Sequence, residues 1–147
     1  MSSSHLSDTL HRLMHVYKSR LRAAVTEREL GLPITHIRVL KGICKNPHST
    51  AHAIAQRMQR DKAQITRVLQ ELLNEGLIEK RPNPDDGRSQ LLHPTPKGLA
   101  VMEQLQQAEQ ETAAIMTRSL TASELELFAE LTTRMVENLT TQSKGNP

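Results

Sequence analysis

Residues 61–98 read DKAQITRVLQELLNEGLIEKRPNPDDGRSQLLHPTPKG, and the order of signals in this stretch decides the fold. Asp61 followed three residues later by Gln64 is a capping-box pattern, able to satisfy the orphan amides at a helix start. Behind it Ile65, Val68, Leu69, Leu72 and Leu73 form one apolar stripe, and Gly76 supplies a C-terminal stop. The period then changes. LIEKRP (77–82) and SQLLHP (89–94) read as two short extended runs flanking the turn-forming NPDDGR, which is a hairpin signal. Thr95 and Pro96 look like the cap and first residue of another helix.

Outward from this centre every other segment is helical. Upstream, Leu6, Leu10, Leu13, Tyr17, Leu21 and Ala24 recur at steps of three and four, predicting a helix from His5 to Leu30 that Gly31 and Pro33 end. Ile37, Leu40, Ile43 and Cys44 mark a second helix over Ile34 to Lys45, breaking before Pro47. Ser49 or Thr50 can cap a third, with Ala53, Ile54 and Met58 inward and its end near Gln59. Downstream, Leu99, Met102, Leu105, Ala108 and Ile115 line one side of a fifth helix. Thr121 with Glu124 makes a second capping box ahead of Leu125, Phe128, Leu131, Met135 and Leu139. Two short helices followed by a hairpin spell a winged helix-turn-helix, so the chain is read as mainly α with a small β-hairpin wing. Residues 33–95 are expected to form the DNA-binding lobe, residues 1–32 and 96–141 a helical dimerisation lobe, and 142–147 a flexible tail.

Composition narrows the function. At 147 residues the chain is too short for a multidomain enzyme, and with 37% hydrophobic residues, one Tyr and one Phe its core is thin. Part of the apolar surface is therefore expected between two copies. Leu6, Leu10 and Leu13 at one end, with Leu125, Phe128, Leu131, Met135 and Leu139 at the other, are the residues for a homodimer. The formal charge of +3 is unevenly spread: residues 33–98 carry eleven basic and six acidic side chains, residues 99–147 three and seven. A basic centre suits a polyanion. The single Cys44 precludes an internal disulfide, the opening MSSSHLSDTLHRL has no apolar h-region, and no apolar run approaches a membrane span. A cytoplasmic, nucleoid-associated protein with no membrane partner is expected.

In a helix-turn-helix the second helix turns hydrogen-bonding side chains into the major groove. With the stripe facing inward, Lys62, Ala63, Gln64, Thr66, Arg67, Gln70 and Glu71 face out. Gln64 matches adenine, Arg67 guanine and the Ala63 methyl a thymine methyl, while Lys62 and Thr66 suit phosphates. An ordinary solvated face would carry similar residues; the adjoining hairpin is what favours DNA. Its Arg88, next to Asp86 and Gly87, is shaped for a narrow minor groove, with Asp86 bracing the guanidinium. Ser49, Thr50, Gln70 and Arg81 complete the expected interface, and His52, in the first turn of the third helix, is placed for a phosphate. The competing reading is a winged-helix module that binds protein.

The DKxxxTR opening (Asp61 to Arg67), the GLIEKRPNPDD lead-in, the DxR turn (Asp86 to Arg88) and the LxxTPKG exit (Leu92 to Gly98) resemble the multiple-antibiotic-resistance-regulator (MarR) and SlyA-type bacterial transcription factors. The helix order on both sides matches too. The resemblance implies a homodimer interlocked through its first and last two helices, two winged lobes on one face of a pseudo-palindromic double-stranded operator, Arg88 in the minor groove and Arg67 in the major. It also implies repression relieved by a small-molecule effector, of unknown identity, in a crevice between the lobes. The family often has Ser where this chain has Ala63, so operator preference does not transfer.

Other chemistry is not supported. Relatives that sense peroxide place the reactive thiol near the start of the first helix, whereas Cys44 lies on the apolar side of the second, where a thiol acts as a small hydrophobe. His11 and His15 are four apart but are only two ligands, and the other histidines are scattered, so no metal or cofactor is expected. No nucleophile–base pair, phosphate loop or convergent carboxylates mark an enzyme.

Overall fold

The computed structural model describes residues 2–46, 48–58 and 60–142. Pro47, Gln59 and tail residues 143–147, where sequence suggested a break, a helix end and a flexible terminus, lie outside them. The element order is α1 (Ser3–Glu27), α2 (Ile34–Lys45), α3 (Ala51–Met58), α4 (Lys62–Asn74), β1 (Ile78–Pro82), β2 (Gln90–Pro94), α5 (Pro96–Thr117) and α6 (Ala122–Gln142). The chain divides into two compact units, residues 1–110 and 111–147.

In the first unit one apolar cluster joins Val39, Leu40 and Ile43 of α2, Ile54 of α3, Ile65, Val68, Leu69 and Leu72 of α4, and Leu77, Ile78 and Leu92 of the wing. A second cluster joins Val25 of α1, Ile37 of α2, and Leu105 and Ala108 of α5. Helix α2 thus carries both. Helix α1 stops at Glu27, three residues short of the Leu30 expected from periodicity. The Arg28 amide closes back on Val25 and Thr26, Glu29 turns left-handed at φ 49°, and this lets Leu30 and Leu32 swing onto the second cluster.

Helix α4 runs as expected, but its N-terminus is a plain cap: the Asp61 carboxylate accepts from the Ala63 amide (3.3 Å), not from that of Gln64. Its C-terminus is a Schellman turn, with Gly76 at φ 72°, its amide on the Leu73 carbonyl and the Leu77 amide on the Leu72 carbonyl, both 3.0 Å. The turn is then gripped by the start of α5. The Thr95 amide donates to the Leu77 carbonyl (3.1 Å), the Thr95 hydroxyl to the Gly76 carbonyl (2.5 Å), and Lys97 Nζ to the Glu75 carbonyl (2.8 Å). The same hydroxyl accepts from the Gly98 amide, capping α5.

This grip corrects the expected inner face of α5. In the first unit Leu99 is exposed and the inward positions are Gly98, Met102, Leu105 and Ala108; Ile115, in the second unit, is exposed as well. Gly98 approaches so closely that a Cβ there would lie 2.1 Å from the Leu77 carbonyl oxygen. Only glycine lets the helix seat. In the second unit, Thr121 caps α6 by accepting from the Glu124 amide (3.1 Å).

Gly98→Ala should therefore destabilise the protein by about 1–3 kcal/mol, as overpacking does, although Ala ordinarily favours a helix over Gly. Urea unfolding checks this; a gain in midpoint would mean that α5 has room at Leu77.

Candidate nucleic-acid interface

The two strands pair antiparallel with Ile78 opposite Pro94, Lys80 opposite Leu92, Arg81 opposite Leu91 and Pro82 opposite Gln90. Directly opposed residues share a face and successive ones alternate, so Lys80, Leu92 and Gln90 stand on one face and Glu79, Arg81 and Leu91 on the other. The first face looks into an open cleft of about 730 Å³ bounded by the start of α3, the start of α4 and the wing. Thr50, His52, Lys62, Lys80, Asp86, Arg88 and Gln90 are among its lining residues.

Each wall is built locally. Thr50 caps α3, its hydroxyl accepting from the Ala53 amide (3.1 Å), and the Asp61 cap places Lys62 in the first turn of α4. The wing tip is folded by side chains acting on backbone. Asn83 Oδ1 accepts from the Asp85 amide (3.0 Å), Asn83 Nδ2 donates to the Ser89 hydroxyl (2.9 Å), and Asp86 Oδ1 accepts from the Arg88 amide (2.9 Å). Asp86 thus fixes the Arg88 backbone and not its guanidinium, which corrects the expected bracing. Among the described residues Lys62, Lys80 and Arg88 have no carboxylate partner.

On α4, Ala63, Thr66, Arg67 and Gln70 are exposed and Gln64 is half-buried. The Thr66 hydroxyl donates to the Lys62 carbonyl (2.8 Å), and Gln70 Nε2 donates to Asn74 Oδ1 (3.0 Å). Glu71 is held by His36 Nε2 of α2, a link between α4 and α2 that sequence does not reveal.

Two expected contacts are displaced. Ser49 is 1% exposed: its hydroxyl donates to the Asn46 carbonyl and accepts from Arg57 Nη2 (3.1 Å), and its carbonyl takes the Leu92 amide (2.8 Å). Its work is to tie the α2–α3 loop to the wing, which leaves nothing for DNA. Arg81 stands on the face away from the cleft and its Nε and Nη2 both reach Glu79 Oε1 (2.9 and 2.6 Å). Lys80, one residue earlier, is the strand's cation in the cleft, and sequence reading passed over it.

Comparison with known proteins agrees with this architecture. Residues 30–89 match the MarR family. The chain is 31% identical over 119 residues to the multiple antibiotic resistance protein MarR of Escherichia coli, covering 79% of this chain and 83% of that one. The chain belongs to the MarR family. MarR of Salmonella typhimurium is 42% identical over 66 residues, a match spanning 44% of this chain and only 46% of that protein's length. The crystal structure of a mutant MarR from E. coli complexed with operator DNA superimposes with a TM-score of 0.65 at 27% identity, over 92% of this chain and 99% of that one.

The apolar residues assigned to dimerisation lie uncovered within their own units. Leu6, Leu10 and Leu13 of this MarR-family chain are exposed on α1; on α6 Leu125 is half-buried while Phe128, Leu131, Met135 and Leu139 are exposed, the last by 76%. A separate cavity of about 150 Å³ opens among α1, α2 and α5, with Leu21, Val25, Ile37 and Leu105 apolar and Lys18, Arg22, Arg38 and Lys41 basic. Lys41 Nζ there pairs with Glu109 Oε1 (2.6 Å). No helix is long and apolar enough to cross a membrane, and no three candidate metal ligands cluster, among the described residues.

Cys44 is half-buried against the first cluster, and burial pushes its thiol above the ordinary range. A raised thiol pKa means less thiolate, the reactive form, at any given pH. Iodoacetamide at pH 8 should therefore alkylate Cys44 more slowly in the folded protein than in urea; equal rates would show an accessible, activated thiol. Ser49→Ala should lower stability by about 1 kcal/mol or more, through the unpaired groups it leaves. The folded variant should bind any DNA partner as the parent does, checked by denaturation and titration side by side.

Proposed function

We propose that this MarR-family regulator binds double-stranded DNA as a homodimer, recognising a pseudo-palindromic operator and repressing transcription until a small ligand releases it. The observation that carries the DNA reading is the cleft lined by Lys62, Lys80 and Arg88, none with a carboxylate partner among the described residues, beside the outward face of α4. Arg67 is assigned to a guanine edge, Gln64 to adenine, Ala63 to a thymine methyl, and Thr50, His52, Lys62, Thr66 and Gln70 to backbone or neighbouring contacts. Arg88, on a wing tip that Asp86 organises, is assigned to the minor groove. That the E. coli relative has been crystallised with operator DNA supports the DNA reading itself.

The exposed stripes of α1 and α6 support dimerisation, since residues such as Phe128 and Leu139 gain free energy only when a second surface covers them. Residues 1–32 and 96–141 then supply the dimerisation lobe and 33–95 the DNA-binding lobe. The cavity among α1, α2 and α5, apolar within and basic at its rim, is the candidate effector site, and it suits an apolar molecule with a negative charge.

Titration of duplexes separates these roles. Arg67→Ala should cost about 1–3 kcal/mol at the preferred operator and less elsewhere, flattening discrimination; an equal loss on every sequence would reassign Arg67 to phosphate. Arg88→Ala should lose more affinity on operators with A·T-rich flanks than with G·C-rich ones, with Tm and dimer unchanged, because a narrow groove focuses negative potential. Equal binding by variant and parent on both flanks would remove the wing from recognition. Light scattering that gave a monomer mass at micromolar concentration would remove the dimer.

A further inference from the structure

The cleft between the wing and helices α3 and α4 holds more than the two recognition elements assigned above, and one of its cations has no role yet. Lys80 sits on the inner face of β1 because the register pairs it with Leu92, whose side chain anchors that face to the core. His52 approaches from the first turn of α3 and Lys62 from the first turn of α4, so three different elements bring basic or hydrogen-bonding groups to one cavity. Among the described residues the one carboxylate lining it, Asp86, is already accepting the Arg88 amide.

Arg81 offers a direct contrast. It has the same charge and is one residue away, but it is paired with Glu79 on the opposite face. An exposed pair of that kind gains little and holds its cation away from the cleft. A cation on a strand that faces an open cavity, without a carboxylate partner, is in a different position: any anion entering the cavity meets it at no cost of breaking an existing pair.

Resting on the DNA reading, we propose that this cleft seats a backbone phosphate of the operator between the major-groove contacts of α4 and the minor-groove contact of Arg88, and that Lys80, with Lys62 and His52, holds it. The seat fixes how deeply the wing reaches, since the same phosphodiester lies between the groove that α4 enters and the groove that Arg88 probes. A phosphate contact carries no base information. Lys80 is therefore a positioning residue for recognition, and its loss should weaken all duplexes alike.

The test compares Lys80→Gln with Arg81→Gln in a salt titration of duplex binding. Each phosphate neutralised contributes about 0.9 to the slope of log affinity against log salt. The dimer carries two such lysines, so Lys80→Gln should reduce that slope by about twice that amount on operator and non-operator duplex alike, and Arg81→Gln should leave it unchanged. A second arm uses operator duplexes carrying one neutral methylphosphonate at successive positions beside the half-site. One position should weaken the parent protein and not weaken Lys80→Gln further. An unchanged slope in Lys80→Gln, or a larger change in Arg81→Gln, overturns the seat while leaving DNA binding by the parent intact. Failure of the parent to bind any duplex in a salt-dependent way overturns both the seat and the function on which it rests.

Discussion

Everything that the wing does depends on how the end of α4 is tied to the start of α5. Three consecutive carbonyls, those of Glu75, Gly76 and Leu77, are taken by Lys97 and by the two donors of Thr95, and Gly98 permits the approach. The Schellman turn takes the orphan carbonyls of the last helical turn, those of Leu72 and Leu73. The three carbonyls that follow are taken by residues that lie beyond the hairpin in sequence. The hairpin is thereby closed at its base, and Ile78 must face Pro94. Every later pairing follows by alternation, so the placing of Lys80 in the cleft and Arg81 outside it is already decided at Thr95.

The same logic explains the division of labour among polar side chains. Those on the interface that point outward, Lys62, Arg67 and Arg88, make no ion pair among the described residues, whereas Ser49, Asn83, Asp86 and Thr95 each bond a backbone group. The second set shapes the surface from which the first projects. Asp86 illustrates the distinction: a salt bridge to Arg88 would have neutralised the cation, but capping the Arg88 amide orders the turn and leaves the guanidinium its charge.

The elements with local signals were legible in the sequence. Helix α4 is legible to within a residue because its cap, stripe and glycine stop lie within it or beside its ends, and both strands are legible because NPDDGR punctuates them. What was not legible depended on contacts between distant residues. Register cannot be read from a strand alone, so sequence points to Arg81 where the structure turns Lys80 to the cleft. Ser49 looked like a cap because nothing local shows that Arg57 and Leu92 will enclose it. Leu99 looked inward because periodicity favours large apolar residues, while the true contact needed the residue with no side chain, Gly98. The early end of α1 likewise reflects the pull of Leu30 and Leu32 toward a core assembled from α2 and α5.

The central claim is that one surface, made of the outer face of α4, the cleft and the wing tip, meets duplex DNA twice in a dimer. A hydroxyl-radical footprint on a duplex selected from a random pool tests it most directly. Two recognition helices related by a two-fold axis require half-site centres separated by about 10 base pairs or a multiple of that, and each wing should protect a minor-groove segment beside its half-site. The account requires a symmetric pattern of such protections that loses its wing-side segments, but not its centre, when Arg88 is replaced by Ala. A single unsymmetrical patch, or protection that Arg88→Ala leaves intact, would contradict it.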